Sequence, residues 1–400
     1  MNFDLIVVGG GLAGSTLAAR MAGSGRRVLV LESEKKFRDR VRGENMLPWG
    51  VAAARRLGLY DRIRSAGAHE PQWWNTYAMG HHMQHRSLPE TTPGGDKTLN
   101  IYHPDLQEVL LGHAAECGAE VRRGTRVTGL ELASGQTPRV MFEENGAPAT
   151  ESARLVVGAD GRFSNVRTWG GFEVERNSEF LTIAGVLVEG AGIPEDGIHL
   201  AMGPGFAMFA APLGGGRART YFIYPSVAGR RNLTGEGKTA AFLEGCRATG
   251  VPGDWLAHAT PIGPLAEFDG ADRWTTSATK DGVALIGDAA AATDPSWGCG
   301  LSQTLLDVEH LSNHLLATDD WKTALDRYDR EHEEYSSALR RTLGWMTELF
   351  WTPGPEADDR RQRVFARMAE DPREFPDNVG LGPFGPSDER ARRLTLGLET

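Results

Sequence analysis

Two unbroken apolar runs, Leu5 to Val8 and Val28 to Leu31, flank a glycine turn and a mostly apolar stretch from about Leu12 to Ala22. Uninterrupted runs of this kind suit strands of a parallel sheet covered on both faces, and the stretch between them suits a helix. The N-terminal pattern therefore predicts a βαβ unit. A loop, "KFRDRVRGENMLP", follows, then a helical stretch through "WGVAAARRLGLYDRI".

From Glu70 to Tyr102 the pattern turns to short alternating runs rich in Trp, His and Pro, which predict strands inserted into the first domain. "DLQEVLLGHAAECGAEVRRG" returns to helix and then strand, and "ARLVVGADG" holds a further buried strand. Between about Gly171 and Thr276, "FLTIAGVLVEG", "FAMFAAPL" and "ARTYFIYP" favour antiparallel strands. A strand from Val283 to Ile286 precedes a helix that begins after Gly300 and carries Leu301, Leu305, Val308, Leu311 and Leu315 on one face. Asp320 to Phe350 reads as a charged helix, and the last fifty or so residues as a Pro-rich, charged tail wrapping the molecule, in which the charge run "DDRRQRVFARMAEDPRE" reads as a solvated helical face.

A chain of 400 residues with 40 % apolar and 24 % charged residues has ordinary globular composition, which argues against disorder and against a membrane protein. The net charge of −10 argues against a nucleic-acid partner, because phosphate binding needs Lys and Arg to displace counterions. Cys117, Cys246 and Cys299 are far apart with no metal-type spacing, as expected for a reducing compartment. The N-terminal apolar run lacks a basic leader and is too short for a signal peptide or a membrane span, so a cytoplasmic protein is expected.

Three motifs carry the chemistry. Gly9-Gly10-Gly11-Leu12-Ala13-Gly14 is a GxGxxG that opens a helix directly after a strand. Gly9 permits the tight turn, Gly11 lets a pyrophosphate approach the backbone, and Gly14 lets helix and strand pack closely, while the helix start offers N–H groups. Glu32 ends the second strand, placed to accept a ribose hydroxyl; the set predicts a dinucleotide site. "GADGRFSNVR" follows a strand and could bring Asp160 and Gly161 to a diphosphate, although Asp-Gly after a strand is most often only a turn. In "GDAAAATDPSWGCGLSQ" small residues precede a second helix start, so a flat ligand can lie on the main chain and a negatively charged reduced ring would meet the positive end of the helix dipole. Asp288 can hydrogen-bond a ribityl chain there.

Taken together the motifs resemble the group A flavoprotein monooxygenases, the para-hydroxybenzoate hydroxylase-like family, from Phe3 to about Leu316. Their order is the specific part: GxGxxG with Glu32, Arg42 in "RVRGENMLPWG", Gln107 in "YHPDLQEVLL", Asp160-Gly161, Gly287-Asp288, and Pro295, Gly298 and Gly300 as P-x-x-G-x-G. The resemblance implies an α/β fold in which a Rossmann-like FAD-binding domain (residues 1–68, 98–170 and 277–318) is interleaved with an antiparallel-sheet substrate domain (69–97 and 171–276), followed by a C-terminal helical segment and tail (319–400). It implies that Arg42 and Gln107 face the FAD, that Asp160 sits near the pyrophosphate, that the flavin ring lies over Pro295 to Leu301, and that Leu12, Ala13, Ser33 and Val127 add cofactor contacts. Two positions depart from the family pattern: His103 stands where Arg is usual, and Ser302 where Asn is common.

By the same resemblance NADPH or NADH reduces the FAD, O₂ adds to give a C4a-hydroperoxide, and this electrophile hydroxylates or epoxidises a small aromatic or polyketide-like substrate. No side-chain catalyst is demanded, because the protein chiefly positions and shields. No second GxGxxG follows a strand, so the reductant binds transiently or a separate flavin reductase supplies reduced flavin. Trp74, Phe209, Tyr221 and Trp297 are the candidate substrate-cavity residues, weighed against ordinary sheet packing. Cys299 reads as a small packing residue, and His81, His82 and His85 as a solvated face rather than a metal site.

Three rivals remain. A flavin-dependent halogenase shares "GENMLP", but W-x-W is absent and no Lys lies between Phe37 and Asp96. A geranylgeranyl-reductase-like enzyme also carries Gly-Glu in that loop and would turn over without O₂. A non-catalytic FAD-binding regulator would never have its flavin reduced.

Overall fold

In the computed structural model, residues 2–132, 137–178, 180–226 and 233–398 are described. Two sheets dominate. In the first, strands Phe3–Val8, Val28–Glu32, Glu120–Arg123, Ala147–Gly158 and Val283–Leu285 lie in the spatial order 283–285, 147–158, 3–8, 28–32, 120–123, all parallel. Leu5, Ile6, Val7, Leu29 and Val30 have no solvent exposure, which accounts for the continuous apolar runs. The helix Leu12–Gly23 returns the chain between the first two strands, with Gly11 as its N-cap.

Strand order reverses at the first strand, because the chain builds outward to Glu120–Arg123 and comes back to Ala147–Gly158 on the other side. In open parallel sheets a ligand binds at the carboxyl ends beside such a reversal. The register brings the carboxyl ends level: Val8 pairs with Gly158, Gly158 with Leu285, and Val8 with Leu31. Each of the three motifs therefore leaves the sheet at the same edge.

The second sheet contains strands Trp73–Ala78, His81–Ser87, Leu181–Glu189, Gly197–Gly203, Phe206–Gly214 and Arg217–Pro225. Pairing is antiparallel except between Trp73–Ala78 and Gly197–Gly203, which run parallel. A hairpin from the first third of the chain thus extends a sheet made mainly from the middle third. Helix Gly300–Ala317 packs on both Leu12–Gly23 and the long helix Trp321–Trp351.

The C-terminal stretch read as a wrapping tail contains helices Pro355–Glu370, over most of the charge run "DDRRQRVFARMAEDPRE", and Glu389–Thr395. Its charge run hid a narrow apolar stripe: Val364, Phe375 and Leu394 bury against Leu349 of the long helix. The last segment also reaches the front of the molecule, where the Trp49 indole Nε1 donates to the Asn378 carbonyl at 2.9 Å and Arg86 pairs with Asp377 at 2.7 Å.

Candidate functional site

At the shared carboxyl edge the glycines are there for contact rather than for flexibility alone. Gly9 has φ of +102°, and a Cβ on it would lie 2.5 Å from the Ala159 carbonyl oxygen. A Cβ on Gly14 would lie 1.9 Å from the Gly9 oxygen. Gly11 differs: a Cβ there meets only Gln107 Nε2 at 3.5 Å, on the cavity side. Gly9 and Gly14 therefore let the chain close on itself, and Gly11 leaves space for something else. Glu32, almost fully buried, accepts from the Gly10 N–H at 2.6 Å and from the Glu34 N–H at 2.7 Å, so the strand-end carboxylate is tied to the turn it serves.

One continuous cavity of about 510 Å³ runs from this edge to the second sheet. At one end it meets Glu32, Ser33 and Val127. Its middle is bounded by Gly9, Gly11, Leu12, Ala13, Gln107, Asp160 and Gly161, and then by Arg42, Gly287 and Asp288. Its far end is floored by Pro295, Gly298, Gly300 and Leu301 and walled by Ile183, Phe209, Tyr221, Ile223 and Phe268. Gly14 lies beneath the turn instead of on the cavity wall.

Two of the residues proposed for a substrate cavity stand elsewhere. Trp297 belongs to the short turn Pro295–Trp297, but its indole Nε1 donates to Thr347 Oγ1 at 2.9 Å and its ring meets Phe350 edge-on, which directs it to the long helix. Trp74 is buried behind the wall, with its ring 5.9 Å from that of Phe209. Phe209 and Tyr221 do line the cavity. The Tyr221 hydroxyl donates to the Arg42 carbonyl at 3.0 Å, and burial pushes its pKa well above the usual range, so it offers a ring and not a proton.

Asp160 turns its carboxylate toward its own chain. Its oxygens accept from the Ser164 hydroxyl and from the Asn165 and Val166 N–H groups at 2.7 and 3.2 Å, capping the short helix Asn165–Trp169. The ordinary turn reading of Asp-Gly is thus realised at a cavity-lining position. Asp288 lines the cavity half-buried, and desolvation raises its pKa against the lowering fields of Arg42, Arg162 and Arg167.

Several residues support the cavity wall, of which Asp39 and Arg219 were not singled out from the sequence. Glu44 and Arg219 are fully buried partners, with Arg219 also held by Asp39 at 2.9 Å. Asp39 additionally accepts from the Val41 N–H at 2.8 Å, pinning a β-branched residue at φ of +55°, an unusual conformation maintained next to Arg42. His103, where Arg is usual, donates its backbone N–H to Glu44 at 3.1 Å and its ring Nδ1 sits 2.8 Å from the Gly43 carbonyl. Burial lowers its pKa to about 4, so the imidazole is neutral near pH 7 and Nδ1 is the donor. Ser302 accepts from the Leu47 N–H at 3.0 Å, and a Cβ on Gly50 would lie 2.3 Å from its oxygen, so helix Pro48–Arg56 approaches too closely for a larger residue.

Asp307 is the buried brace of the third motif. It accepts from the Gly287 N–H at 2.6 Å and from the Tyr335 hydroxyl at 2.6 Å, and desolvation pushes its pKa up to about 7. A charged residue beside the apolar stripe of helix Gly300–Ala317 was the available signal.

Residues 2–342 match the family described as FAD binding domain. The chain belongs to this family. FAD is accordingly its cofactor, and the cavity fits it: there is space over Gly11, and the lining includes both helix starts, at Leu12 and Gly300, together with Glu32. This FAD-binding protein is 29 % identical to rifampicin monooxygenase of Streptomyces venezuelae over 387 residues, covering 92 % of this chain and 75 % of that protein. It is 26 % identical to the digeranylgeranylglycerophospholipid reductase of Methanocella arvoryzae, over 86 % of this chain and 85 % of that one. The crystal structure of p-nitrophenol 4-monooxygenase from Pseudomonas putida superposes with a TM-score of 0.80 at 22 % identity, covering 92 % of this chain and 94 % of the other, which establishes the shared fold.

Proposed function

We propose that this flavoprotein is a monooxygenase that uses NADPH or NADH and O₂ to hydroxylate or epoxidise a small aromatic or polyketide-like molecule. The observation that carries the reading is that Pro295, Gly298, Gly300 and Leu301 line the same cavity as the apolar side chains Ile183, Phe209, Tyr221, Ile223 and Phe268. A planar apolar molecule placed there would lie against the ring end of the cofactor, away from bulk water.

Bound FAD supplies the redox chemistry and the activation of oxygen. The chain's own residues bind and orient. Gly11 and the Leu12–Gly23 helix start would receive the diphosphate, Glu32 the adenosine ribose, and Asp288 the ribityl hydroxyls; Arg42 and Gln107 complete the cofactor side, with Ser33 and Val127 at the adenosine end. Gly298, Gly300 and Leu301 would present N–H groups and a positive helix end to the ring edge that gains negative charge on reduction. Phe209 and Tyr221 would shape the substrate compartment.

The Glu44–Arg219 pair locks the loop, and the Tyr221 hydroxyl is fastened to the Arg42 carbonyl. The reductant is taken to bind transiently or to be replaced by a separate flavin reductase. A cytosolic location is part of the reading and accords with the three free cysteines and with the described residues, among which no helix is long and apolar enough to cross a membrane.

A second reading, a flavin reductase of isoprenoid double bonds, is favoured by the similarity to the Methanocella arvoryzae reductase. Anaerobic mixing of the FAD-loaded chain with NADPH or NADH, followed by admission of air, tests the proposal. Flavin bleaching that is accelerated by an aromatic ligand, with product only after air enters, supports the monooxygenase. Product before air enters supports the reductase.

A further inference from the structure

We propose that His310, His314 and Glu331 form a binding site for a zinc-type divalent cation that clasps two helices behind the cofactor cavity. His310 and His314 are one turn apart on helix Gly300–Ala317, and Glu331 faces them from helix Trp321–Trp351. His310 Nδ1 and His314 Nε2 lie 2.6 and 2.8 Å from the same oxygen, Glu331 Oε2. All three donor atoms lie within 4.8 Å of one another. None of the three lines the FAD cavity.

Two imidazole nitrogens and one carboxylate oxygen are a donor set that zinc accepts, with a fourth position left to water. At metal–ligand distances of about 2.0–2.1 Å, tetrahedral geometry separates neighbouring donors by roughly 3.3 Å. The present contacts need to open by roughly 0.5–0.7 Å to reach it, a small adjustment for a Glu331 side chain that is 39 % exposed. That exposure also gives the ion an entry path and room for its water.

In the metal-free arrangement the ionised carboxylate can only accept, so each facing nitrogen carries a proton. Binding moves that proton to the other ring nitrogen of a neutral imidazole, or to solvent from a charged one, and frees the lone pair for the ion. His81, His82 and His85 offer a contrast. His82 stacks on Tyr77 and His85 on Trp73, at 4.6 and 3.9 Å, so those rings are used as flat surfaces and do not converge on a common point.

The clasp would act close to the cofactor turn. The His310 ring lies 5.2 Å from that of Tyr335, whose hydroxyl donates to Asp307, the acceptor of the Gly287 N–H. Holding the two helices in register would therefore steady Asp307 and the turn above it.

Titration of zinc chloride into the FAD-loaded full chain, read by calorimetry and by thermal unfolding, tests this. The expected result is one ion per chain with a raised Tm, weakened on the order of 100-fold in His314→Ala and about 10-fold or more in Glu331→Gln. Glu331→Gln keeps a hydrogen-bonding side chain between the rings, so it separates lost coordination from lost packing. Absence of saturable zinc binding, or wild-type affinity in both variants, overturns the proposal.

Discussion

Glu44 and Arg219 face each other without solvent contact, the guanidinium Nη2 lying 2.8 Å from Oε1 and Nε 3.1 Å from Oε2. One belongs to the loop carrying Arg42 and the other to the central strand Arg217–Pro225 of the second sheet, so the pair joins the two halves of the cavity wall. Removing one partner strands the other charge in a dry site. Glu44→Leu is expected to cost about 3–5 kcal/mol, toward the lower end because Asp39 still reaches Arg219, and to weaken FAD binding. Adding Arg219→Met should recover most of the stability. Urea unfolding checks both, and a cost below about 1 kcal/mol for the single variant would contradict the assigned role.

The glycines of the first motif divide by function. Gly14→Ala puts a methyl 1.9 Å from the Gly9 oxygen and should yield poorly folded protein. Gly11→Ala meets no close backbone and should fold with near-normal Tm, yet lose FAD affinity by about 10-fold or more, because the methyl occupies the proposed diphosphate position. Circular dichroism and flavin fluorescence titration distinguish the two outcomes.

His332 is buried between Tyr328 and Tyr335, and desolvation lowers its pKa to about 3. An unfolded histidine titrates near pH 6.5, so below that pH the unfolded chain binds the extra proton and the folded chain does not. Its contribution is fully present above about pH 6.5 and is lost as pH falls toward about 3, at up to roughly 1.4 kcal/mol per pH unit. Asp307 and Asp294, raised to about 7, act oppositely and lose stability as pH rises toward that value. His332→Phe isolates the first effect: its stability relative to the parent should improve steadily on acidification. Urea unfolding at several pH values reads this, and a constant difference would refute it.

Phe209→Ala should raise KM for an aromatic substrate by about 10-fold with FAD content unchanged, since the ring lines the compartment. Trp297→Ala should leave KM alone and lower stability by about 2–3 kcal/mol, through the lost Thr347 bond and Phe350 contact. Steady-state kinetics with parallel melting curves checks the pair of expectations.

The sequence made the parallel sheet readable because Leu5 to Val8 and Val28 to Leu31 are buried on both faces, and it made the glycine turns readable because backbone contact excludes Cβ. It could not show where side chains point. Trp297 sits inside a cofactor motif but its indole was captured by the Thr347 hydroxyl fifty residues away, and Asp160 spends its carboxylate on its own helix start. The pairings of Glu44 with Arg219 and of Asp307 with Tyr335 join separate segments of the chain, so no local spacing advertises them. In the C-terminal stretch the helical charge run was legible, but its buried stripe was not, because the few buried residues are outnumbered by charged ones.

The most direct measurement is turnover of the FAD-loaded protein with NADPH or NADH under isotopically labelled dioxygen, followed by mass analysis of the product. The account predicts one labelled oxygen atom in the product and none in parallel reactions run without oxygen. An unlabelled product, or a saturated one formed under anaerobic conditions, would contradict it.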